Sequence, residues 1–251
     1  MTFALFASMV FGQTSADRTV DRVFHFVHTE KLQDMQEIAT TVRSIANIPN
    51  VSIDSEQRAL TLGGTAVQIT LAEWLFNNLD KPAGTRESRA WSTPEYPVSV
   101  SADDIAQVFY LAHTEMAPHL QEVATTVRSL VGTRSLFTYN AIGAVVVRGK
   151  SWEVALAGWL LNDLDQSTNP QRVQDSAIHV YRLAGGGEDV VRVFYLTHPG
   201  TVASFQKIAV QVRTTTQVRR LFTYNAPRAM ALRGTDDQIA VAEQLIKELD
   251  R

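Results

Sequence analysis

The stretch Val108-Phe109-Tyr110-Leu111-Ala112-His113, with the amphipathic run that follows it to Arg128, decides how this chain is read. It occurs three times. Val23-Phe24-His25-Phe26-Val27-His28 runs on to Arg43, and Val193-Phe194-Tyr195-Leu196-Thr197-His198 runs on to Arg213, each 85 residues from its neighbour. Every copy closes on a Leu-Asp pair, at Leu79-Asp80, Leu164-Asp165 and Leu249-Asp250, with the same period. Self-similarity that does not drift means one supersecondary unit in tandem, and a unit of roughly 60 residues buries too little surface to be stable alone. Each copy is therefore expected to lean on a neighbour or a partner.

The hydrophobic period gives the elements of one copy. Arg22 to Val27 is β-rich. Met35, Ile38, Val42 and Ile45 then recur at helical spacing, and Ile48-Pro49-Asn50 breaks that helix. Val51 to Ile53 and Ala59 to Leu62 alternate as two strands about a polar turn, Asp54 to Arg58, with Gly63-Gly64 expected to end the second. Thr65-Ala66-Val67-Gln68 has the hydroxyl-then-amide spacing of a capping box, and Ile69, Ala72, Leu75, Phe76 and Leu79 form the apolar stripe of a second helix. Copies two and three repeat this, with helix stripes through Met116, Leu120, Val123, Val127 and Leu130 and through Val202, Phe205, Ile208 and Val212. A second capping box stands at Thr235 to Gln238.

The connecting segments carry signals of their own. Tyr96 to Val100 and Ile178 to Leu183 each precede a turn and then a core strand, so copies two and three are expected to gain an extra N-terminal strand. Gly185-Gly186-Gly187 reads as a hinge, and Lys81 to Pro94 and Gln166 to Arg172 as flexible joints.

Composition excludes several function classes. A net charge of −3 supplies no overall basic field for nucleic acid or anionic membrane. With no cysteine there is no disulfide, zinc-thiolate or thiol chemistry. Residues 2–12 are apolar and followed by small polar residues, which matches a secretory leader over 1–16 that lacks its positive n-region; the alternative is a buried N-terminal strand or helix turn. No other run is long or apolar enough to span a bilayer.

Candidate sites are few. His28, His113 and His198 supply one imidazole per copy, too few ligands for zinc within a unit, and a strand-end histidine bonding backbone explains them. His25, His119 and His179 read as surface singletons. No Gly-x-Ser-x-Gly, Walker or His-Glu-x-x-His motif occurs, so neither catalysis nor a metal or cofactor is expected. Arg43, Arg128 and Arg213 fall near a helix C-terminus, where a cation complements the helix dipole or serves a shared interface. Tyr139 and Tyr224 alternate with Phe137 and Phe222 on a strand, giving one core face and one contact face. These three arginines and two tyrosines are the interface candidates.

The ordered set of Val-Phe-Tyr-Leu-x-His, helix, Leu-Phe-Thr-Tyr-Asn, Val-Val-Val-Arg-Gly, helix and Leu-Asp resembles the N-terminal short domains of bacterial secretins. These are the NolW-like ring-building modules of type II and type III secretion and type IV pilus systems. The family pattern corresponds here to His28, His113 and His198, to Asn140 and Asn225, to Gly64, Gly149 and Gly234, and to the three Leu-Asp pairs; Ser55 stands where copy one should carry the asparagine. The resemblance implies an α+β fold of three tandem βαββα modules, over 21–80, 95–165 and 177–251. It also implies a periplasmic, non-catalytic protein that packs against copies of itself, as a homo-oligomer, or docks other envelope proteins. Secretins continue into an outer-membrane barrel and this sequence stops at Arg251, so a freestanding string of modules or a piece of a longer protein is expected. KH-like nucleic-acid binding is the alternative for such a unit, but no copy carries the Gly-x-x-Gly loop between two helices that KH binding needs.

Overall fold

The computed structural model describes residues 19–82, 91–99, 103–114, 117–165, 179–183, 189–198, 200–225 and 227–251. The leader-like residues 1–16, Met116, the Gly185–Gly187 hinge and most of the flexible joints lie outside them. The first module runs β1 (Thr19–His25), α1 (Leu32–Ala46), β2 (Asn50–Asp54), β3 (Ala59–Thr65) and α2 (Ala66–Leu79). The second runs β4 (Trp91–Ser92), β5 (Tyr96–Pro97), β6 (Ile105–Tyr110), α3 (Ala117–Val131), β7 (Leu136–Tyr139), β8 (Ala144–Gly149) and α4 (Ser151–Leu164). The third runs β9 (Val180–Arg182), β10 (Asp189–Tyr195), α5 (Val202–Thr216), β11 (Arg220–Tyr224), β12 (Ala229–Thr235) and α6 (Asp236–Leu249).

Each module has one antiparallel sheet, ordered β1-β3-β2, β4-β6-β8-β7 and β9-β10-β12-β11, with β5 also on β6. The expected extra N-terminal strands are present but short: β5 pairs with β6, and β9 pairs with β10. β4 departs from expectation; it lies inside Lys81 to Pro94, which reads as a flexible joint, and it too pairs with β6. Register repeats residue for residue, with Val23 opposite Thr61, Val108 opposite Val146 and Val193 opposite Ala231. Because strand faces alternate with period two, this puts equivalent residues of every copy on the same face.

One expectation needs correction. Gly63 and Gly64 do not end a strand; β3 runs through them to Thr65. The following helix explains Gly64. Gln68 Oε1 accepts the Thr65 N–H while Thr65 Oγ1 accepts the Gln68 N–H, closing the capping box. A Cβ at Gly64 would lie 2.9 Å from that Oε1, and at Gly234 2.7 Å from the Gln238 oxygen. Glycine clears the space that the cap occupies.

Two helices cover one face of each sheet. The opposite faces of the second and third sheets are covered too, by the helices of the module before. One buried cluster joins Ile38, Val42, Leu71 and Leu75 of the first module to Ala106, Val108, Tyr139 and Val146 of the second. Another joins Val123, Leu130, Leu156 and Leu160 to Val191, Val193, Tyr224 and Ala231 of the third. The chain is thus a stack of alternating sheet and helix layers. A fully buried Val or Leu contributes roughly 1.5–3 kcal/mol, so several per joint outweigh the freedom lost in fixing two small modules together.

Candidate functional site at the module joints

The repeated Leu-Asp pair closes each module on itself. Asp165 follows the last turn of α4, and its carboxylate accepts the N–H of Ala112, His113 and Thr114 and the Thr114 hydroxyl, at 2.5 to 3.0 Å. Asp80 receives the same set from Val27, His28 and Thr29. Asp250 holds Thr197 and His198. This gives His28, His113 and His198 their place: each backbone N–H binds the aspartate, while the ring lies exposed. Among the described residues no cluster of three or more His, Asp or Glu is arranged to hold a metal ion.

The joints themselves recur with the 85-residue period. Glu37 on α1 accepts the backbone N–H of Asn140 at 3.0 Å and its side-chain amide at 3.0 and 3.1 Å. At the second joint Glu122 on α3 takes the same two donors from Asn225, at 2.9 and 2.6 Å. At the other end of each helix, Arg148 Nη1 donates to the Ile45 carbonyl and Arg233 Nη1 to the Leu130 carbonyl. A guanidinium there meets the partial negative charge of a helix C-terminus. Arg148 is also held from its own module by Asp104, at 2.7 Å.

Between these polar contacts lie the buried tyrosines. Tyr139 is 1% exposed, with its hydroxyl 3.4 Å from that of Thr29 in the preceding module. Burial pushes its phenol up to about 12. Tyr224, at the equivalent place, is raised for the same first reason, desolvation.

The second helix of each module completes the joint, and here the copies differ. Tyr110 donates to the Asn78 carbonyl at 2.7 Å, stacks on Trp91, and has the Lys81 ammonium 4.5 Å from its ring centre. Tyr195 donates to the Asp163 carbonyl at 2.6 Å, but Asp163 is an acid and meets His179 Nδ1 at 2.6 Å. His179, read from sequence as a surface singleton, is instead 6% exposed. Its carboxylate partner lies sixteen residues upstream in the previous module, across a segment that no local motif bridges. Burial raises the phenols of both Tyr110 and Tyr195.

The candidate arginines are placed elsewhere. Arg43 Nη2 donates to the Val51 carbonyl at 3.0 Å and Arg128 Nη2 to the Leu136 carbonyl at 2.6 Å; Arg213 bonds the Leu221 carbonyl in the same way. Each ties helix one to the edge strand of its own sheet. Tyr139 and Tyr224 lie between modules. Glu37, Glu122, Arg148 and Arg233 were not singled out from the sequence. Their signal was available as exceptions to the repeat: Lys207 replaces the glutamate, Ser55 the asparagine and Gly63 the arginine, each at a position with no module beyond it in this chain.

Among the described residues no helix is long and apolar enough to cross a membrane. No family model matches the sequence, and no curated protein matches it. Among solved structures, the chain is similar to the N-terminal domain of the secretin XcpQ from Pseudomonas aeruginosa, at 14% identity over 88% of this chain and 78% of that one, with a TM-score of 0.30. It is similar to Aeromonas hydrophila ExeD at 16% identity, over 93% of this chain and 41% of that one, with a TM-score of 0.22. Similarity to the type II secretion system secretin GspD of E. coli K12 covers 94% of this chain and 39% of that one, at 12% identity and a TM-score of 0.22. The chain spans about two fifths of the length of those two proteins. The likeness, to secretin N-terminal domains, is one of fold alone.

Proposed function

We propose that this chain is a non-catalytic scaffold exported to the periplasm, a ring-building or docking component of a secretion or pilus-type envelope assembly. Its units are the modules 21–80, 95–165 and 177–251. The observation that carries this reading is the recurrent joint. The polar residues that set the copies apart from generic helix and strand positions, Glu37, Asn140, Arg148 and their equivalents, hold module to module. Such a chain presents an ordered series of αβ surfaces, and sheet edges suited to strand addition. The motif resemblance to secretin modules supplies the envelope setting, and the apolar stretch 2–12 supports export. Within this reading Tyr139 and Tyr224 serve contacts inside the chain, while Arg43, Arg128 and Arg213 steady the edge strands that face partners.

The test is fractionation of cells making the full chain with a C-terminal tag, followed by in vivo cross-linking and mass spectrometry. Recovery in the periplasm, linked to further copies or to envelope proteins, is the expected result. A chain confined to the cytoplasm, or one that turns over a small molecule, overturns the proposal.

A further inference from the structure

The two ends of the stack can be compared with its two joints position by position. At the joints the sheet face that meets the preceding helices carries Ala106, Val108, Phe137, Tyr139 and Val146, or Val191, Val193, Phe222, Tyr224 and Ala231, all buried or half-buried. The first sheet has Asp21, Val23, Ser52, Asp54 and Thr61 at the equivalent places, and all but Thr61 are exposed. The helical side changes in the same sense. Thr41 and Ile45, like Thr126 and Leu130, are buried under the next sheet, whereas Gln211 and Thr215 on α5 are exposed. Leu71 and Leu156 are 2% and 0% exposed, and their counterpart Val241 is 43% exposed. Trp74 and Trp159 give way to Gln244, and the joint glutamate becomes Lys207.

We infer that both ends of the stack are finished surfaces: the outer sheet face of the first module and the outer helix face of the third do not join copies of this chain end to end. Two independent sets of substitutions remove both polar locks of the joint and most of its apolar payload, leaving Val23 and Val241 as exposed valines. The glutamate is a lysine, the asparagine is Ser55, and the arginine that reaches the helix C-terminus is Gly63. In stacked-repeat proteins, terminal units with a polar outer face stop what would otherwise be an open heterologous contact that grows into filaments. Whatever self-association this chain has therefore runs through its flanks, where the sheet edges lie. The inference rests on the comparison of joints and goes beyond the proposed scaffold role.

The test uses the full chain, mixed from isotopically light and heavy copies, cross-linked, and followed by sedimentation velocity over a wide concentration range. No link between α5 or α6 of one copy and β2 or β3 of another is expected, and no growing series of species. Such links overturn the inference. Two variants rebuild the ends: Lys207→Glu with Gln211→Thr, Thr215→Leu and Gln244→Trp on the third module, and Ser52→Phe with Asp54→Tyr, Ser55→Asn and Thr61→Val on the first. Each alone should sediment as the wild type, and a mixture should form a one-to-one complex at least tenfold tighter than any wild-type pairing. Two folded variants that ignore each other overturn the inference; should either fail to fold, the wild-type cross-link map decides. A wild-type monomer supports finished ends while counting against self-assembly as the role, and flank-joined rings support both.

Discussion

A carboxylate almost shielded from water needs donors around it, and Asp165, at 3% exposure, has four: three consecutive backbone N–H groups and the Thr114 hydroxyl. Removing it leaves the buried Thr114 N–H and hydroxyl unmatched at roughly 1–3 kcal/mol each, with the part-buried Ala112 and His113 N–H groups besides, so Asp165→Ala should lower stability by about 3 kcal/mol or more. Asp250 is half-exposed and bonds the backbone of two residues, so water replaces much of what it gives. Urea midpoints of the two alanine variants should differ accordingly, with Asp250→Ala the milder; equal losses would show that the anchor matters by position and not by burial. Tyr139 gives a pH prediction. Its phenol is pushed up to about 12 by burial, above the usual value near 10, so the unfolded chain releases this proton first. The stabilisation it gives is complete below about pH 10 and is lost as pH rises through 12. Unfolding midpoints against alkaline pH should fall more steeply for the wild type than for Tyr139→Phe, which keeps the ring and has no proton to lose.

At the scale of the element, the joint is a helix whose two ends are each held by the next module. Glu37 sits in the early turns of α1 and Arg148 meets its last carbonyls, so the helix is fixed in both position and rotation. A double-mutant cycle of Glu37→Ala and Asn140→Ala should give a coupling energy of about 1–3 kcal/mol, the range for a charge-assisted contact between neighbours. The same cycle on Ser55 and Lys207 should give none. What the sequence made legible follows from which interactions are local. Helix stripes, capping boxes and the strands β5 and β9 are written in short-range spacing; β4, inside a proline-bearing stretch that reads as a joint, is not. The joints were harder. Glu37 and Asn140 are 103 residues apart, and on its own each looks like a solvated helix glutamate and a turn asparagine. Only their joint disappearance at Lys207 and Ser55 marks them as a pair. His179 was misread for a related reason: its partner Asp163 belongs to another module, and a histidine opening a short strand has no local pattern that demands burial.

Taken whole, the stack is asymmetric in what each module hides. The middle module is covered on both sides, its sheet by α1 and α2 and its helices by the third sheet. The first module exposes its sheet face and the third its helix face. In a linear array of this kind stability is close to a sum of unit and neighbour terms, so a unit with two neighbours opens last. Native-state hydrogen exchange should therefore find its slowest amides in β6 and β8, and faster ones in β3 and β12. Glu122→Lys separates this account from one in which the middle sheet is merely the strongest by itself. That change copies the Lys207 cap into the second joint, next to Asn225, which it can no longer serve as an acceptor. Protection should then fall in β12 and along α3 and α4, with β3 left near its wild-type rate because the first joint is intact. If β3 loosens equally, the modules unfold as one unit and the joints are not separate terms. If nothing changes, the glutamate contact is decoration on an apolar interface that holds without it.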